Sequence, residues 1–476
     1  MHIAPRASAG ILAAVLLATA PSAWAAAPAA SVDLTGHWAG YTAIVVFVLA
    51  YIMVVLEEFT HLRKSQPVML AAGAIWALLA AVTTRAGMPE AAHAAVGTYL
   101  LEYAELLLFL LAAMTYVNAM SERNVFEALR SWLLRHRLGY RALYWITGAL
   151  AFVLSPVLDN LTTALVLCAV LMSVGAGNAR FISLGCISIV VAANAGGAFS
   201  PFGDITTLMV WQKGLVTFTE FFDLFLPSLV NWVVPALLMY FAVPKGSPTS
   251  EDAGVGMKRG AIPIIALFVV TILLAVSFHS ALGLPPFLGM MTGLALLKLY
   301  GWRLQASNRQ LALAGFEDEG APGEIDSFDS YEQVARAEWD TLLFFFGVIM
   351  CVGALGFCGY LAVASHHFYG VLGPTTANVL VGLMSAVLDN IPMMVAVLQM
   401  NPDMSHGQWL LVTLTAGVGG SLLSVGSAAG VALMGQARGQ YTFFGHLKWT
   451  WAIALGYAAS VLVHLWINAP LFAIGQ

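Results

Sequence analysis

Apolar runs of about 17 residues or more recur along this chain from residue 38 to residue 468. Coiled as a helix, a run of that length reaches most of the way across the roughly 30 Å hydrocarbon core of a bilayer. Lipid offers no water to irregular backbone, so such a chain folds as a bundle of membrane helices. Composition agrees: charged residues fill 9% of the 476 positions and hydrophobic ones 60%. So few charges cannot cover a water-soluble surface. The formal net charge of −5 carries no basic stripe that would suit nucleic acid. Cys168, Cys186, Cys351 and Cys358 all lie in apolar stretches and read as small core residues rather than redox or metal pairs.

Residues 1–25 read as a signal peptide, with Arg6 before a short apolar run and Ala23-Trp24-Ala25 as an A-x-A cleavage site. Cleaved or not, the mature chain then starts on the periplasmic side of a bacterial inner membrane. Spans are expected at 38–57, 67–83, 95–118, 181–213, 224–243, 261–278, 285–300, 340–358, 408–435 and 449–468. Two more apolar stretches, 142–176 and 376–400, are each interrupted by Asp-Asn, too long for one ordinary span and marginal for two. Starting outside, the cytoplasmic loops become 58–66, 119–141, 244–260, 301–339 and 436–448. Those loops, with the flanking Arg180 and Lys298, hold every lysine and arginine beyond Arg6 except Arg85 and Lys213. A single crossing by 142–176 would put the basic loops 244–260 and 301–339 outside. That stretch therefore returns to the side it entered.

Four pieces recur in order. Glu105-Leu-Leu-Leu-Phe returns as Asp340-Thr-Leu-Leu-Phe, and Ser155-Pro-Val-Leu-Asp-Asn-Leu as Ser385-Ala-Val-Leu-Asp-Asn-Ile. Gly196, Gly197 and Gly203 return as Gly419, Gly420 and Gly426, and Phe221-Phe222 as Phe443-Phe444. The chain divides into a first repeat, 38–243, and a second, 261–468. Each has three spans, a hairpin, a glycine-broken span (181–213 or 408–435) and a final span. An odd number of crossings per half inverts the second half against the first. The expected fold class is an all-α polytopic membrane protein of two inverted-topology repeats, with about ten spanning helices, two re-entrant hairpins and two broken helices. Re-entrant hairpins bring both Asp-Asn tips to the midplane from opposite sides, whereas paired full spans would leave them on opposite surfaces.

A carboxylate in the membrane costs roughly 2.5–3.5 kcal/mol on insertion scales, so it comes with a partner ion, a proton or a function. The candidates are Asp159 and Asp389 at the tips, Asp204 in the first broken span, and Glu102 with Glu105 on one helix face. Each could instead be a hydrogen-bonded structural acid or a helix cap. Sodium, a hard cation, wants oxygen ligands. Around the first tip stand Asn160, Thr162, Thr163, Asn194, Thr206 and Thr207, and around the second Asn390, Ser424 and Ser427. Asp204 aligns with Ser427, so three acids rather than four are expected to converge. A proton and a cation then compete for the same oxygens, which suffices for exchange. His37, His61 and His93 near interfaces read as solvated side chains or pH sensors, and the acidic stretch 317–329 as a solvated loop.

The segments Ser155-Pro-Val-Leu-Asp-Asn-Leu-Thr-Thr, Asn194-Ala-Gly-Gly-Ala-Phe-Ser-Pro-Phe-Gly-Asp-Ile-Thr-Thr and Ser385-Ala-Val-Leu-Asp-Asn-Ile-Pro resemble the NhaD family of sodium/proton antiporters, from about residue 40 onward. That resemblance implies export of Na+ or Li+ for protons, favoured at alkaline pH, with no cofactor. It carries functional roles onto Glu102, Glu105, Ser155, Asp159, Asn160, Asn194, Asp204, Thr206, Thr207, Ser385, Asp389, Asn390, Ser424 and Ser427, with Asp159, Asp204 and Asp389 holding the cation. The wider ion-transporter superfamily adds a homodimer. Its dicarboxylate carriers have Ser-Asn-Thr tips, and the aspartates here would repel a carboxylate. An arsenite exporter is the other relative with acidic tips. A membrane enzyme lacks support, since neither H-E-x-x-H nor G-x-S-x-G occurs.

Overall fold

The computed structural model describes residues 32–473 apart from 61, 137, 176–177, 248–253 and 314–328. The expected signal peptide, His61 and most of the acidic stretch lie outside the described residues. The regular structure among those described is helical. Nine of the helices are long and apolar enough to cross a bilayer, and the protein is an all-α polytopic membrane protein.

The first half runs α1 (Trp38–Val55), α2 (Ser65–Arg85), α3 (Pro89–Glu122), α4 (Val125–Arg135), α5 (Tyr140–Leu158), α6 (Asn160–Val174), α7 (Ala179–Gly197), α8 (Ile205–Gln212) and α9 (Phe225–Tyr240). The second runs α10 (Ala261–Leu282), α11 (Pro286–Leu313), α12 (Trp339–Phe357), α13 (Pro374–Leu388), α14 (Asn390–Met400), α15 (His406–Gly419), α16 (Ala428–Gln436) and α17 (Thr450–Ile467). Local signals set many ends. His37 accepts from the Ala39 amide to open α1, proline stands at the first helical position of α3 and α13, and left-handed Gly283 closes α10.

Helices overrun two of the expected loops. The 301–339 loop is helical as far as Leu313 and again over Ser330–Ala335, and the 119–141 loop contains α4. Hydropathy marks where lipid ends, not where a helix does. Leu, Gln, Ala and Arg at 303–311 are good helix formers and carry α11 onward.

Corresponding helices pair in the same way in both halves. The hairpin arm α5 packs along α7, and α13 packs along α15. Between halves the pairing is exchanged: α16 lies on α6, and α8 lies on α14. The third helices, α3 and α12, pack against each other, as do the last two, α9 and α17. At 1.5 Å per residue the 15-residue α6 and α13 and the 11-residue α14 reach roughly 16–23 Å, short of a bilayer core.

Candidate functional site

Two chain reversals and two unwound stretches meet at the centre. α5 gives way to α6 at Asp159 (φ 70°, ψ 162°), and α13 to α14 at Asp389 (φ 66°, ψ 147°). That region of backbone space suits glycine and costs an aspartate roughly 1–3 kcal/mol, a strain that both tips carry. α7 unwinds over 198–204 before α8, and α15 over 420–427 before α16. Here the backbone approaches itself closely. A Cβ on Gly197 would sit 2.5 Å from the Gly203 carbonyl oxygen, and one on Gly420 would sit 2.5 Å from that of Gly426. Only glycine permits either approach.

Each of the four helices that begin here is capped by a singled-out residue. Asp159 accepts from the Thr162 amide at 2.8 Å and the Thr162 hydroxyl at 2.9 Å. Asp389 accepts from the Asn390 amide at 2.8 Å, Asp204 from the Thr206 amide at 3.0 Å, and the Ser427 hydroxyl from the Gly430 amide at 3.3 Å. The acids are thus helix caps, favoured by the positive end of each helix dipole.

Asp204 does more. Its Oδ2 accepts from Asn160 Nδ2 at 2.7 Å and from Asn390 Nδ2 at 2.9 Å. Asn160 also donates to Asn194 Oδ1 at 3.0 Å, and Asn194 Nδ2 donates to the Ser421 hydroxyl at 2.8 Å. A carboxylate offers about four acceptor positions. Three are used at Asp204 and two at Asp159, leaving capacity at both for a proton or a cation.

Several residues expected at the site serve to hold it together. Ser155 donates to the Ala193 carbonyl at 2.6 Å, and Ser385 to that of Ala416 at 3.0 Å, fixing each hairpin to the broken helix beside it. Thr207 donates to the Ser200 and Asp204 carbonyls, both at 2.7 Å. The Ser424 hydroxyl is buried and has no hydrogen-bond partner among the described residues.

Asp159, Asp204 and Asp389 are not gathered into one carboxylate cage, since no three of His, Cys, Asp or Glu cluster for a metal among the described residues. Ionised carboxylates repel strongly at low dielectric. The two tips therefore approach one acid through their neutral asparagines. Glu102 and Glu105 take part in none of these hydrogen bonds. Glu102 pairs with Lys213, and Glu105 is half-buried on the same face of α3.

A cleft of about 1000 Å³, its open mouth included, reaches Asp159, Asn160, Asp204 and Asn390. Lys64, Asn118, Glu338 and Thr341 line it as well, and sequence reasoning passed over all four. Ser421 was missed likewise. Lys64 and Glu338 stand one residue ahead of α2 and α12, where a charge reads as an ordinary solvated flank.

A family described as citrate transporter matches residues 51–417 of the chain. The Na(+)/H(+) antiporter NhaD of Alkalimonas amylolytica is 56% identical over 458 residues, covering 94% of this chain and 95% of that one. The protein of the same name from Vibrio cholerae serotype O1 is 56% identical over 452 residues, 93% of this chain and 94% of its own. The chain belongs to the NhaD family. More distant kinship reaches plants: sodium/proton antiporter 2 of Arabidopsis thaliana is 30% identical across 89% of this chain and 99% of its own. The resemblance read from the Asp-Asn and broken-span motifs thus extends along nearly the whole NhaD-family chain.

Proposed function

We propose that this protein is a secondary Na+/H+ antiporter in which cation and proton compete for Asp159 and Asp204, with Asp389 serving the second tip. The observation that carries the reading is the junction at Asp204, where asparagines from two hairpin tips share one carboxylate oxygen. Tips of paired full spans would lie a bilayer apart, so their meeting supports re-entrant hairpins in two inverted repeats. Neutral amides and hydroxyls supply the oxygens that a hard monovalent cation needs, and the acids supply charge. A carboxylate taken from water holds its proton more tightly, and a cation beside it drives that proton off. Exchange follows if both cannot be bound at once.

Other parts of the reading are finer. Li+ shares the path, the protein sits in the bacterial inner membrane with its mature N-terminus periplasmic, and two copies form a homodimer. The cleft walls favour a cation over a citrate-like anion, because Asp159, Asp204 and Glu338 face a single lysine there.

The test is proton flux in inverted membrane vesicles, read by a pH-sensitive dye as Na+, Li+ or K+ is added. Wild type should dissipate the gradient with Na+ and Li+, and Asp159→Asn and Asp389→Asn, inserted and folded, should not. A folded wild type silent to every cation between about pH 6 and 9.5 would sink the antiporter reading.

A further inference from the structure

The cleft holds a cation of its own. Lys64 lines it together with Asp159, Asp204 and Glu338, and it is the only lysine or arginine among the described residues to do so. Its Nζ lies 4.8 Å from the centroid of the Phe344 ring on α12, and Phe344 is fully buried. A cation over an aromatic face is drawn to the ring quadrupole, so this ammonium is held against a fixed wall rather than ranging through solvent. Its field is felt nearby. Burial pushes Glu338 above the ordinary glutamate range, and the Thr341 hydroxyl and the Lys64 ammonium pull it back.

A wall of carboxylates alone would bind a monovalent cation and release it slowly. Passage needs binding strong enough to enter and weak enough to leave. A tethered positive charge provides that balance, opposing the cargo while it is bound and offsetting the acids once it has gone. We propose that Lys64 sets the affinity of the site, its fixed charge weakening uptake of the transported cation at the Asp159–Asp204 wall, so that the cleft fills only at high Na+. The inference rests on the antiport reading and extends it to a residue outside the hairpins and broken helices.

The experiment is Na+-dependent proton flux in inverted vesicles, with half-saturating Na+ and maximal rate measured separately. Lys64→Gln should lower half-saturating Na+ on the order of fivefold, as expected from removing one unit charge at a partly screened distance. Lys64→Met, which keeps the alkyl stem against Phe344, should do the same, and Lys64→Arg should stay near wild type. A purely structural role would instead lower the maximal rate and leave half-saturation in place.

Charge can also be exchanged within one folded protein. Lys64→Cys can be treated with a methanethiosulfonate bearing either an ammonium or a sulfonate, since the four native cysteines are all buried. The ammonium should restore wild-type half-saturation, and the sulfonate should lower it below that of the untreated variant. Half-saturation indifferent to the charge at position 64, with wild-type flux intact, overturns the role of Lys64 alone. Absence of Na+-driven flux in wild type overturns the antiport reading and this inference with it.

Discussion

Asn160 and Asn390 stand one residue past the two hairpin tips, in opposite halves of the chain, and donate to the same oxygen atom, Oδ2 of Asp204. The first half contributes both the acid and one donor, while the second half contributes only a donor. Ser427, the counterpart of Asp204, caps α16 as Asp204 caps α8, but both asparagines go to Asp204. The halves are alike in path and unlike in chemistry, and the single carboxylate joins them.

Sharing one acceptor makes the two asparagines energetically dependent. Asn160→Ala or Asn390→Ala alone should impair antiport strongly, and the pair together should cost less than the two single losses combined. The coupling expected for residues in one network is roughly 0.5–3 kcal/mol. A double-mutant cycle on Na+-driven flux measures it, and strict additivity would show that the tips act separately.

The close backbone approaches make a second, steric prediction. Gly197→Ala and Gly420→Ala each place a methyl 2.5 Å from a carbonyl oxygen in an unwound stretch. Neither oxygen belongs to a flexible side chain, so the backbone itself must move. Each substitution should destabilise the protein by about 1–3 kcal/mol and abolish transport. Gly36→Ala, where an added Cβ meets nothing, is the control. Thermal unfolding in detergent, together with flux, separates the three.

Much of this was legible in the sequence, because membrane helices and a repeated Asp-Asn motif leave strong local marks. Asp159, Asp389 and Asp204 stood out as acids in apolar surroundings, and their neighbours Asn160 and Asn390 came with them. What the motif could not give was direction. An Asp-Asn pair does not say which side chain caps the helix and which reaches across the site. Here the acid caps in both tips and the amide reaches. Lys64 and Glu338 escaped notice because, at the ends of spans, hydropathy treats a charge as solvated flank. Only the packing of α2 against α12 turns those ends toward the cleft.

Glu102 is the opposite case. Family likeness carried a functional role onto it, yet it pairs with Lys213, and both side chains are partly exposed. Exposed ion pairs contribute about 0–1 kcal/mol. Glu102→Gln should therefore leave the maximal Na+-driven flux within about twofold of wild type. A loss as deep as that of Asp159→Asn would return Glu102 to the ion path.

His446 provides a prediction about pH and stability. It lies in the short Phe443–Leu447 helix that leads from α16 to the final span, with its ring fully buried. Its Nε2 lies 2.9 Å from the Ser421 carbonyl and its Nδ1 lies 2.8 Å from the Tyr441 hydroxyl. Since a carbonyl only accepts, Nε2 carries the hydrogen, and in the neutral ring Nδ1 accepts from Tyr441. Burial depresses this imidazole from 6.5 to about 4, with the Ser421 and Leu422 carbonyls opposing that effect. Between those two values the unfolded chain takes up a proton that the folded chain refuses. The stability linked to His446 is therefore complete above about pH 6.5 and drains away as pH falls toward 4. The whole effect is about 3 kcal/mol. His446→Gln, whose amide can still donate to the Ser421 carbonyl, should unfold more easily than wild type at pH 8 and lose less stability on acidification. Thermal unfolding in detergent at pH 8, 6 and 4.5 tests this, since the carboxylates common to both proteins cancel in the difference. Parallel curves for the two proteins would mean that His446 takes up its proton at the same pH in the folded chain as in the unfolded one, and would overturn this assignment.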